Sequence, residues 1–138
     1  MKEDWKDLIV FLCAICDTCE DCHLNSYGEC FYAEHKMFED IKDSISDFPD
    51  LIQETYFGAR ELPFVSSRKI REEEIEKLKQ IKNGKEGARH IKDLIITTLD
   101  LVKIIDSDED ITVGEKDVLS KIAGTVQQKL YFIQNYLK

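Results

Sequence analysis

The chain has 138 residues, enough for one domain with a sizeable core, and its 28 acidic against 19 basic side chains give a formal net charge of −9. Hydrophobic residues make up 43% and charged residues 34%, with only six glycines and two prolines, which excludes a disordered or fibrous chain. No apolar run approaches the roughly 18 residues needed to span a bilayer.

The charge is unevenly placed. Residues 1–50 hold thirteen acids against four lysines, a balance of −9, while residues 51–138 hold fifteen of each sign. The first half therefore repels phosphate backbones, which argues against direct nucleic-acid binding there, and attracts a basic protein partner or a cation.

In chain order, apolar spacings of three and four residues dominate, with no period-two strand. The first helix is expected from near Asp4, through Leu8, Ile9, Phe11, Leu12, Ile15 and Cys16. The apolar run Leu8 to Cys16 follows Lys2, Glu3, Asp4 and Asp7 and lacks a basic n-region and a cleavage site, so it reads as a buried helix of a cytoplasmic protein. His23 to Glu29 reads as a turn. A second helix carries Phe31, Phe38 and Ile45 in one row and stops before Pro49. Asp50 with Gln53 is a capping pair for a short helix ending near Gly58, and residues 60–67 form an extended connector. A third main helix is expected over 68–82, with Ile70, Ile75, Leu78 and Ile81 inward. A fourth covers 86–105, and Thr112 with Glu115 makes a capping box for the last, whose inward row is Leu119, Val126 and Ile133. On that last helix, Lys129 is placed on the tolerant outer face.

The expected fold is all-α: a single-domain antiparallel bundle of about five helices with a Cys/His-rich turn after the first. Residues 1–48 form an acidic Cys/His-rich hairpin, 49–67 a short helix and connector, and 68–138 a three-helix segment within one domain.

CAICDTCEDCH, residues 13 to 23, is the one stretch that points to chemistry. Cys13, Cys16, Cys19 and Cys22 are three apart, Cys30 follows, and His23 and His35 stand beside them. On a regular helix positions three apart drift by roughly 60° per step, so four thiolates would not converge on one ion. A metal site therefore requires the first helix to end between Cys16 and Cys22. Given such an end, Cys19, Cys22 and Cys30, with His35 or Cys16 as the fourth ligand, have the form of a closed structural zinc site. Cys13, deepest in the apolar run, is assigned to the core. An iron–sulfur cluster on the same cysteines is the alternative, although the bacterial ferredoxin spacing is missing. The cysteines lack the basic neighbours that redox thiols use. The bland alternative is a metal-free helical adaptor whose thiols are simply buried.

Two other acidic groupings are weaker. Asp106, Asp108 and Asp110 imitate alternate ligands of a calcium loop, but Ile111 stands where the turn needs glycine. Glu72, Glu73 and Glu76 suggest a carboxylate metal site, yet no partner acid pair follows, and a solvated face explains them. The functional expectation is a small acidic, non-enzymatic binding or regulatory protein stabilised by zinc. Glu39, Asp40 and Asp43 on the second helix would meet a basic partner, in the manner of an inhibitor occupying a nucleic-acid-binding groove.

Overall fold

The apolar spacings resolve into six α-helices and no strand in the computed structural model, which describes residues 1–138. These are α1 (Glu3–Leu24), α2 (Phe31–Ile45), α3 (Phe48–Gly58), α4 (Ser67–Ile75), α5 (Gly84–Asp106) and α6 (Val113–Tyr136). They form a single helical domain around one core.

Helix α1 is apolar nearly all round in its middle, and it lies at the centre, packed against α2, α3, α4 and α5. Its Leu8, Ile9, Leu12 and Ile15 are fully buried, each worth about 1.5–3 kcal/mol relative to exposure. Neighbours run antiparallel. Lys42 of α2 reaches Glu20, while His35 near the start of α2 lies against His23 at the end of α1. Lys2 at the start of α1 meets Asp108 just beyond α5, while Gly87 in the first turn of α5 abuts Cys22. The α5–α6 hairpin closes with Lys85 donating to the Tyr136 carbonyl.

The capping box that opens α6 is formed as expected: Glu115 N–H donates to Thr112 Oγ1 at 3.2 Å and Thr112 N–H to Glu115 Oε2 at 2.8 Å. Leu119, Val126 and Ile133 are buried. Helices α4 and α5 start on Ser66 and Asn83, whose side chains accept from Lys69 N–H and Glu86 N–H.

Four local expectations are corrected. Pro49 does not merely end α2, which stops at Ile45; it sits in the first turn of α3, where its missing N–H has no helical partner anyway. Asp47, rather than Asp50, occupies the cap position of α3, and it makes no side-chain cap bond. Helix α4 ends at Ile75 instead of continuing to Lys82, and Ile75 itself is two-thirds exposed. Beyond it the chain leaves the helix so that Ile81 can enter the core, and His90 Nε2–H captures the Lys77 carbonyl at 2.8 Å. Tertiary contacts outweigh local helix propensity over this short stretch. Lys129, finally, is 5% exposed: its stem is packed and its ammonium reaches Asp40 at 2.8 Å.

Candidate functional site

Helix α1 runs unbroken through the cysteines to Leu24, so the helix end that a shared ion requires is not there. The thiols instead fan around the helix as the 100° step dictates. Cys13 and Cys16 face a pocket between α3 and α4, and Cys16 Sγ lies 3.9 Å from the Lys42 carbonyl of α2. Cys19 is fully buried in the core. Cys22 points at α5, where a Cβ on Gly87 would fall 2.1 Å from its sulfur. Cys30 is exposed just before α2. No three of Cys16, Cys19, Cys22, Cys30, His23 and His35 bring ligand atoms within 4.8 Å of one another. The core residues of the run are Cys19 and Cys22; Cys13, assigned to the core from its position, is only half-buried.

Burial governs thiol chemistry here. It pushes Cys13, Cys16 and Cys22 up to about 12, with neighbouring acids adding to the effect, and raises Cys19 well above the ordinary thiol value. The thiolate that a metal or a redox reaction uses is therefore disfavoured at four of the five cysteines.

The two histidines form a different unit. Their rings stack with centroids 3.6 Å apart, and each Nδ1 lies 3.1 or 3.0 Å from the other residue's main-chain carbonyl. A carbonyl only accepts, so each Nδ1 carries a hydrogen and donates it. This reciprocal pair ties the last turn of α1 to α2, and Phe31 stacks on the outer face of His35.

On α2, Asp40 and Asp43 are exposed and Glu39 is half-buried. Two of the three are engaged: Glu39 by Lys36 at 3.0 Å and Asp40 by Lys129. All four lysines of residues 1–50 are likewise committed, Lys2 to Asp108 and Asp110, Lys6 to Glu3 and Glu73, Lys36 to Glu39, and Lys42 to Glu20. Among residues 1–50, the exposed acids without an ion-pair partner are Asp4, Asp17, Asp21, Glu29, Asp43, Asp47 and Asp50. Beside Asp21 and Glu29, the α1–α2 corner exposes Leu24 (70%), Tyr27 (71%), Phe31 (43%) and Tyr32 (70%). Gly28 turns this corner with φ +86°, a conformation that costs a side chain but not glycine.

The remaining acidic groupings are occupied by lysines. Glu3, Asp7 and Glu73 come within 4.8 Å of one another around the Lys6 ammonium, 2.6 Å from Glu3 and 2.7 Å from Glu73. The calcium-like loop is held by Lys2, 2.5 Å from Asp108.

Sequence reasoning missed Asp17 and Glu74. Glu74 is 4% exposed, borders the pocket with Cys13 and Cys16, and meets Asp17 across it. The available signal was spacing: Glu74 is four residues after Ile70, on the same inward face of α4. The chain matches no protein-family model, no curated protein and no solved structure.

Proposed function

We propose that this is a non-enzymatic binding protein whose α1–α2 corner docks a basic segment of a protein partner. One observation carries the reading: exposed Leu24, Tyr27, Phe31 and Tyr32 stand beside Asp21 and Glu29, acids that no lysine neutralises. Exposed aromatics flanked by one sign of charge supply both halves of a recognition surface. The aromatic faces provide buried area, and the carboxylates steer and orient a cationic chain. Lysine- and arginine-rich segments that otherwise hold phosphate are the matching chemistry, so the protein would compete with nucleic acid for such a partner. The acids that carry binding are Asp21, Glu29 and Asp43, because Glu39 and Asp40 already hold lysines of this chain.

The test is fluorescence anisotropy with a labelled amphipathic peptide rich in lysine and arginine, and with a single-stranded oligonucleotide as control. The peptide should bind, with an association rate that falls as salt shortens the screening length, and the oligonucleotide should not. Reversing Asp21, Glu29 and Asp43 to lysine should abolish binding while helix content by circular dichroism stays unchanged. Peptide binding that survives the triple reversal with the same salt dependence would place recognition elsewhere.

A further inference from the structure

On another face of the molecule, α1, α3 and α4 enclose a pocket of about 280 Å³. Its apolar wall is made by Ile9, Ile70 and the neutral thiols of Cys13 and Cys16, and its polar end by Asp17 and Glu74. Glu74 is a built feature rather than a surface acid. Its Oε1 is shut off from solvent and has no hydrogen-bond partner, a state that native proteins rarely leave unexplained. We infer that this pocket binds a small organic primary ammonium, its charged group seated between Asp17 and Glu74 and its alkyl part against the thiol wall.

Three arguments select this ligand class. An ammonium has three donors and no acceptor, so it can bond the Glu74 and Asp17 carboxylates together, in place of the hydrogen bond that otherwise joins them. The formal charge of the lining favours a cation: Asp17, Asp50 and Glu74 stand against Arg71 alone. The volume, just below the usual lower limit of about 300 Å³ for ligand pockets, suits a chain of a few carbons. A metal ion is less well served, because Cys13, Cys16, Asp17 and Glu74 do not bring three ligand atoms within 4.8 Å.

Binding should release a proton. Burial, followed by a side-chain hydrogen bond to Asp17 and then that neighbour's charge, raises Glu74 to about 8, so near neutrality it holds the proton that an ammonium would replace. The groups facing it are Cys13, Cys16 and Asp17 from α1, Asp50 from α3 and Arg71 from its own helix. Seating the cation expels that proton to solvent, and no covalent bond is otherwise made or broken. Affinity should therefore rise with pH through the Glu74 titration and level off above it. Alkyl ammonium ions stay charged throughout this range.

The experiment is isothermal titration calorimetry of the full chain with 1,4-diaminobutane at pH 6.5 and 8.5, in two buffers of different ionisation enthalpy. Binding at pH 8.5 should be about 25-fold tighter than at pH 6.5, the ratio of ionised Glu74 at the two values, with close to one proton released per ligand at the lower pH. Glu74→Gln, which mimics the protonated side chain and so keeps the fold, should lose the pH dependence and most of the affinity. Asp17→Asn at the mouth should weaken binding at both pH values. Absence of heat at millimolar diamine at pH 8.5 would overturn the inference. So would undiminished binding to Glu74→Gln, or binding of magnesium or zinc chloride at this pocket with none of the diamine.

Discussion

At the scale of single residues, environment decides what each group does. Cys30 is exposed, whereas Cys19 and Cys22 are shut in the core and burial holds their thiols neutral. In folded protein at pH 8, a timed alkylation read by mass spectrometry should label Cys30 first, Cys13 and Cys16 slowly, and Cys19 and Cys22 only on unfolding. Protection of Cys30 together with Cys19 and Cys22, relieved by a chelator, would instead reveal a zinc site assembled from them. Glu74 gives a second residue-scale expectation. Its carboxyl titrates near the ordinary 4.5 when unfolded and about 8 when folded, so the folded chain holds the extra proton between these values. Its contribution to stability is thus fully present below about pH 4.5 and lost as pH rises towards 8. Glu74→Gln should be near neutral at pH 5 and more stable than the parent at pH 8.5, by roughly 1–3 kcal/mol, the cost of an unsatisfied buried polar group. Urea unfolding at the two pH values measures the difference. Lys129→Ala should cost about 1–2 kcal/mol, since its buried stem packs and its ammonium reaches Asp40, whereas a surface lysine would cost under about 0.5.

At the scale of elements, close approach fixes how α1 crosses α5. Gly87 is buried, and a methyl there would meet Cys22 Sγ at 2.1 Å and Ile81 Cγ2 at 3.1 Å. Gly87→Ala should destabilise the domain by about 1–3 kcal/mol through overpacking, even though alanine is the better helix former. Adding Cys22→Ala removes the sulfur and should recover part of that loss in a double-mutant cycle read by the urea midpoint. Additive effects would show that the two residues do not touch. The cycle also bears on the cysteine run: its final thiol is there to fit a groove in α5. Helix periods were legible along most of the chain because α5 and α6 each bury one face. Helix α4 was not, because Ile81 stands where a continuing helix would return it to the face of Ile70, and yet the chain leaves the helix before reaching it. Nothing local distinguishes a continuing helix from a chain that leaves it to reach the core.

At the scale of the whole molecule, ion pairs link segments far apart in sequence. Arg60, in the connector after α3, donates to Glu115 at the start of α6, a carboxylate with no exposed surface. Burial raises this carboxyl, but the Arg60 and Thr112 hydrogen bonds outweigh it and hold the group below the ordinary value. Hydrogen bonds from Lys6, Lys42, Lys36 and Lys2 lower Glu3, Glu20, Glu39 and Asp108 in the same direction. Groups lowered in the folded state stabilise it above their unfolded values, 4.5 for glutamate and 3.8 for aspartate, and lose that effect as pH falls through the folded ones. Thermal melting should therefore drop steeply below pH 4.5. Arg60→Met should lower stability at neutral pH by about 3–5 kcal/mol, because it leaves Glu115 buried and unpaired, and should flatten the acid limb. An unchanged acid limb in Arg60→Met would show that the linkage lies with the exposed pairs.

The amino-acid pattern alone determined the all-helical class, the Thr112–Glu115 cap and the concentration of negative charge in residues 1–50, because each depends on spacing, local hydrogen bonding or counting. It also contained the geometry that keeps the cysteines apart, since a residue step of 100° spreads positions three apart around a continuous helix. What it left open was whether α1 would end inside the run, a choice made by the partners that bury Cys19 and Cys22. Tertiary structure alone decided which acids are free. Asp40 and Asp43 look alike on α2, and only the approach of Lys129 from α6 separates them. It likewise decided that Glu74 faces a pocket rather than water, because burial is a property of the neighbours that fold against a residue.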